Sequence, residues 1–86
     1  MQSVHIYTSP ACGFCSMAKR LLKAKSVSFT ETDISRDPSK RQEMLARASG
    51  RHTVPQIFVG KTHVGGCDEL MALERAGKLD KLLSAA

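Results

Sequence analysis

The sequence predicts an α/β protein: a small four-stranded mixed sheet with helices on both faces. Three observations carry this reading. A short β-prone run, residues 4–7, passes through Ser9-Pro10 into a helical segment that opens with Cys12-Gly13-Phe14-Cys15. A second β-prone run and a second helical segment follow at the spacing of a β-α-β unit. Two further strand-like runs, separated by Gly60-Lys61, then read as an antiparallel hairpin.

The chain of 86 residues has room for one modest core and is read as a single domain, residues 1–86. No stretch approaches the apolar length of a membrane span, so no membrane partner is expected. Residues 1–4 run straight into the first strand and leave no space for a signal peptide, so a cytoplasmic location is expected. In that reducing compartment three cysteines are too few for a disulfide scaffold. A Cys-x-x-Cys pair there is catalytic or metal-binding rather than structural. The formal net charge of +5 comes from 13 Lys and Arg spread over most of the chain, with only three Phe and one Tyr. A nucleic-acid surface wants a dense basic stripe, often with aromatics, and is not expected. A positive face attracting anionic small molecules or acidic partner proteins, and a solvated surface without meaning, both remain open.

Taken in order, residues 4–7 suit a buried strand of a parallel sheet. Residues 13–25 read as a helix, with Met17, Ala18, Leu21, Leu22 and Ala24 mostly at i, i+3, i+4 spacing and lysines in the last turn. Residues 27–32 alternate apolar and polar side chains and predict the second strand. Asp37 caps a helix with Pro38 at its first position, running to about Ala48 and closed by Ser49-Gly50. A right-handed crossover makes these two strands parallel. Residues 51–60 read as a strand with a proline near its start, residues 61–66 as its hairpin partner, residues 67–75 as a helix ended by Gly77, and residues 78–83 as a short terminal helix.

The order of strand, turn and helix places Cys12 at the positive end of a helix, where unpaired N–H groups and the macrodipole favour a thiolate. The thiolate is the species that attacks disulfides. Cys15, three residues on, lies within the first turn and can close a disulfide onto Cys12. Two alternatives stand beside this redox reading. His63 and Cys67 could complete a Cys₃His zinc set with the pair, although structural zinc pairs usually sit on knuckles or hairpin turns. Two unrelated buried cysteines are the other alternative, against which the spacing speaks. At Thr53-Val54-Pro55 the bland reading is a rigid strand start with a trans bond. A cis Val54–Pro55 bond would instead turn the Val54 backbone outward to pair with an extended peptide. Gly65-Gly66-Cys67-Asp68 lets a ligand approach the backbone, with a helix N-terminus behind it to hold a carboxylate. The alternative there is a loop and cap without a ligand, and Asp68 as cap residue fits both. His5, His52 and His63 form no pattern.

With these residues in view, the chain resembles a glutaredoxin of the small bacterial dithiol type over essentially its whole length. The carriers are Ile6-Tyr7-Thr8 before the Cys-x-x-Cys, Gly50-Arg51-His52-Thr53-Val54-Pro55-Gln56-Ile57-Phe58, and Gly65-Gly66-Cys67-Asp68-Glu69-Leu70. The resemblance implies a thioredoxin-like fold and an enzyme that reduces protein disulfides and glutathione mixed disulfides, with glutathione as co-substrate and reductant. It implies Cys12 as nucleophile and Cys15 as resolving thiol. It places Phe14 beside the glutathione, Thr53, Val54 and a cis Pro55 along its cysteine backbone, and Gly66, Cys67 and Asp68 at its γ-glutamyl end. Gln42 would help hold the glycine carboxylate, and His52 stands where some members have arginine. No protein metal ligand is assigned. Two departures are visible: Cys-Gly-Phe-Cys replaces the common Cys-Pro-Tyr-Cys, and Ser9 replaces a frequent lysine. The expected state is a monomer whose partners are glutathione and disulfide-containing proteins. The alternative from another class is a glutathione-ligated [2Fe–2S] cluster-binding or carrier protein, bridged into a dimer. Against the monothiol class stand the absent insertion and the absent Trp-Pro motif. A donor to ribonucleotide reductase recharged by thioredoxin reductase is a further alternative, to which the intact Gly-Gly-Cys-Asp run is the counter-argument.

Overall fold

The computed structural model describes residues 2–84. The elements are β1 (Val4–Thr8), α1 (Gly13–Ala24), β2 (Thr30–Asp33), α2 (Pro38–Arg47), β3 (Gln56–Val59), β4 (Thr62–Gly65), α3 (Cys67–Arg75) and α4 (Leu79–Ser84). The strand order is β2-β1-β3-β4, with β1 parallel to β2 and antiparallel to β3, and β4 antiparallel to β3. This is the expected mixed sheet of a thioredoxin-like fold.

The two-residue period of a strand sends successive side chains to opposite faces. Val4 and Ile6 of β1, with Ile57 and Val59 of β3, therefore meet Ala18 and Leu22 of α1, Leu70 of α3 and Leu79 and Leu83 of α4. Tyr7 and Phe58, one position along, point the other way and pack with Ile34, Met44 and Ala48 beneath α2. Helices cover both faces, three against one. Residues from the C-terminal end of β1, from the segment before β3 and from the turn after β4 surround the start of α1, which is where the site lies.

Three expectations are corrected. The second strand begins at Thr30, not Val27. Val27 is spent on closing α1: Ser26 turns left-handed at φ 58°, the Val27 N–H donates to Leu22 O at 3.0 Å, and the Val27 side chain enters the core. The alternation that suggested a strand comes partly from this helix stop. The third strand begins at Gln56 rather than Arg51, because Pro55 offers no N–H and the Thr53 carbonyl is taken by the Gln56 side chain. The cap of α3 is not Asp68. Gly66 holds the N-cap position, and Glu69 Oε1 accepts from the Gly66 N–H at 2.7 Å.

Candidate active site

Ala11 makes the turn into the site. Its φ of 58° is left-handed, unusual for alanine, and it swings the chain out of β1 so that Cys12 becomes the N-cap of α1. The Cys12 side chain then does what a capping oxygen usually does: its Sγ accepts the Cys15 N–H at 3.2 Å. The Cys12 carbonyl accepts from the Ser16 N–H at 3.1 Å. Cys15, Ala18 and Leu22 form the buried stripe of α1, so the same periodicity that anchors the helix hides the second thiol.

The two sulfurs are thereby made unequal. Cys12 is partly exposed, whereas Cys15 is 2% exposed. Burial above all, then the hydrogen bond and charge of the neighbouring Cys12 sulfur, push the Cys15 thiol up to about 12, against a lesser lowering by the Ser9 backbone and Lys19. Cys12 is thus the sulfur a substrate can reach, and Cys15 is held as a thiol at neutral pH. Once Cys12 is held in a mixed disulfide, two of the influences that raise Cys15 are gone. In the dithiol reaction expected from the sequence, Cys15 would displace the partner sulfur, which leaves as a thiolate, with the Cys15 proton going to solvent and the Cys12–Cys15 disulfide remaining. Because this step needs the Cys15 thiolate, which burial still disfavours, its single-turnover rate is expected to rise with pH across the neutral range. Release of the second equivalent of a chromogenic aromatic thiolate measures it, and a flat profile from pH 6 to 9 contradicts the assignment.

Beside Cys12 lies a groove of about 290 Å³. The Cys12 thiol faces its wall, with Sγ 3.8 Å from the Val54 carbonyl oxygen, and the Val54–Pro55 bond is cis. Seven residues named from the sequence line it: Phe14, Thr53, Val54, Pro55, Gly66, Cys67 and Asp68. Phe14 stands 60% exposed at its rim. Gln42 is not among the lining residues; it is exposed on α2. Arg51 and Glu69, quoted above without a role, also line the groove and pair at 3.0 Å. The Gly66-x-x-Glu69 spacing of a capping box was the available signal for Glu69. A second hollow is lined by Cys12 and Cys15 themselves, and there Lys19 pairs with Glu31 at 3.0 Å and Thr8 donates to the same carboxylate at 2.7 Å.

The zinc alternative does not assemble. His63 stacks on Phe58 on the α2 side of the sheet, while Cys67 is buried with the opposite cluster. Among the described residues, no three His, Cys, Asp or Glu side chains converge as a metal set.

A thioredoxin-like sheet with an unequal dithiol at the head of its first helix defines a thiol–disulfide oxidoreductase. The glutaredoxin family model matches residues 4–64. The chain is 58% identical to a glutaredoxin of Pseudomonas aeruginosa over 85 residues, covering 99% of this chain and 100% of that one. It is 53% identical to glutaredoxin 3 of Escherichia coli over 83 residues, covering 96% and 99%. The crystal structure of a buckwheat glutaredoxin–glutathione complex superposes with a TM-score of 0.87 at 28% identity, over 96% of this chain and 77% of that one. The chain belongs to the glutaredoxin family, and its resemblance to the small bacterial members holds.

Proposed function

We propose that this protein reduces protein disulfides and glutathione mixed disulfides through Cys12 and Cys15, with glutathione as the reductant, in the cytoplasm. One observation carries the reading: the groove against Cys12 gathers Phe14, Thr53, Val54, Pro55, Gly66, Cys67 and Asp68 from three separate stretches of chain. An extended tripeptide with its sulfur at Cys12 fits such a trough. The N–H groups of Cys67 and Asp68, the first residues of α3, have no partner within the helix and suit a carboxylate. The Asp68 carboxylate beside them suits an ammonium group, so the pair matches an α-amino acid end. The test is a glutathione-coupled assay on a small mixed disulfide, in which saturable turnover is expected and its absence overturns the reading. In that assay Asp68→Lys is expected to raise the KM for glutathione about tenfold, the scale of one reversed charge-assisted contact. Alkylation of Cys12 should stay within about twofold of wild type. An unchanged KM would place the γ-glutamyl end elsewhere.

A second reading, a [2Fe–2S] centre held by Cys12 of two protomers and two glutathione thiols, is favoured by two features. Cys12 is the cysteine of the three that is not buried, and a Cβ on Gly13 would meet nothing within 4 Å. Four thiolates would satisfy such a cluster, which would supply one-electron or carrier chemistry. Anaerobic reconstitution with iron, sulfide and glutathione is expected to give a coloured dimer on gel filtration. A colourless monomer removes this reading. Gly13→Pro is a further arm, since proline suits the first position of a helix, and identical colourless behaviour there would settle the point.

A further inference from the structure

Thr53 is held from behind. Gln56 Nε2 donates to the Thr53 carbonyl oxygen at 3.0 Å and lies 3.2 Å from the Thr53 hydroxyl oxygen. A carbonyl only accepts, so the amide nitrogen of Gln56 must face Thr53 and its oxygen must face away. That oxygen lies 2.7 Å from His63 Nε2, which therefore carries the hydrogen. The Gln56 amide nitrogen thus serves both oxygens of Thr53. The Thr53 hydroxyl oxygen is engaged as an acceptor, its own hydrogen has no acceptor among the described residues, and Thr53 lines the groove.

The donors run in one direction: His63 to Gln56, Gln56 to Thr53, and Thr53 outward. Such chains polarise each link and strengthen the last donor. The parts are fixed in place. Gln56 is fully buried, and His63 stacks on Phe58 with ring centroids 4.8 Å apart at 20°. Arg47 lies over Phe58 at 4.1 Å from its centroid. No step of the thiol chemistry requires a buried glutamine or this histidine.

The geometry points to Gln56 and His63 as positioning residues that commit the Thr53 hydroxyl to donate to a carboxylate of the ligand in the groove. This rests on the glutathione reading. With the γ-glutamyl end at Gly66–Asp68, the carboxylate left for Thr53 is that of the glycine. The arrangement selects an acceptor at that end of the groove and disfavours a ligand whose terminus is esterified.

The test measures kcat and KM in the glutathione-coupled assay for wild type, His63→Phe, His63→Gln, Thr53→Val and the His63→Phe/Thr53→Val double variant. Each is run with glutathione and with its ester at the glycine carboxylate. Phenylalanine keeps the ring stack and removes the donor; glutamine restores a donor. His63→Phe is expected to raise the KM for glutathione about threefold to tenfold, the scale of one hydrogen bond to a charged group, with kcat within about twofold. His63→Gln should recover most of it. The ester should cost wild type a similar factor and cost His63→Phe little. In the Thr53→Val background His63→Phe should add nothing, since coupled residues are not additive. A wild type that saturates with glutathione while His63→Phe keeps its KM, or whose effect persists in full without the Thr53 hydroxyl, overturns the inference alone. A wild type that never saturates overturns the glutathione reading and the inference with it. Thermal melts of the same samples separate a misfolded variant from an altered groove, and His63→Gln supplies the comparison if His63→Phe does not fold.

Discussion

Cys12→Ser is expected to abolish turnover on every disulfide substrate, a loss of at least about a thousandfold, as for an enzyme deprived of its nucleophile. The fold should survive, because serine is a good N-cap and its oxygen can take over the Cys15 N–H that Cys12 Sγ now accepts at 3.2 Å. Cys15→Ser is expected to behave differently. It removes the buried thiol proposed to resolve protein mixed disulfides, so most dithiol reduction of protein substrates should go. Reduction of glutathione mixed disulfides needs only Cys12 and a second glutathione, and should continue. Parallel assays with a glutathionylated peptide and a disulfide-bonded protein read both branches. Turnover by Cys12→Ser comparable to wild type rejects the assignment of the nucleophile, and equal loss of both branches in Cys15→Ser rejects the division of labour.

Gly65→Ala is expected to have the largest effect on stability among single-methyl changes at the site. Gly65 has φ 115°, where side chains are rarely accommodated. A Cβ there would stand 2.7 Å from Glu69 Oε1 and 2.8 Å from Arg51 Nη1. Both are ends of flexible side chains and would move, but moving them breaks the 2.7 Å Gly66 cap and the Arg51–Glu69 pair. Strain of about 1–2 kcal/mol and a lost cap of about 1 kcal/mol together give about 2–3 kcal/mol, or a Tm lower by about 10 °C or more in a domain of this size. The KM for glutathione should rise with it, since the start of α3 forms the groove wall. Gly77→Ala is the control: φ is 70° there with open space around it, so strain alone is expected, with the groove untouched. Equal losses in the two variants would mean that Glu69 contributes nothing as a cap.

The order of elements and the dithiol were legible in the sequence because each depends on local signals. Asp37-Pro38 announced α2, and the Asp37 carboxylate accepts the Ser39 N–H at 2.9 Å as a cap should. Gly60-Lys61 announced the hairpin. Seven of the eight residues named as glutathione contacts lie together along one groove, since the motifs that carried the resemblance are also the turns that build its walls. What was illegible depends on contacts far apart in the chain. Val27 looked like the start of a strand because nothing local distinguishes a helix-closing residue from an alternating one. His5 and His63 showed no pattern, yet His5 meets Thr32 at 2.7 Å and His63 meets Gln56 at the same distance, partners chosen by strand register. The pairing of Arg51 with Glu69 likewise spans two turns that only the folded sheet brings together.

The sulfur of Cys12, the attacking atom of the proposed chemistry, is also the acceptor that closes the first turn of α1. A sulfur bound into a disulfide is a poorer acceptor, so the cap favours the reduced protein over the oxidised one. By thermodynamic linkage the cap therefore acts on the electron equilibrium as well as on the helix. For a two-electron couple about 1.4 kcal/mol corresponds to 30 mV, so a cap worth about 1 kcal/mol makes the dithiol about 20 mV more oxidising. Substitutions that strengthen or loosen the first turn of α1 without touching either cysteine will therefore move the reduction potential, and the helix end works as a tuning element for the electrons the protein carries.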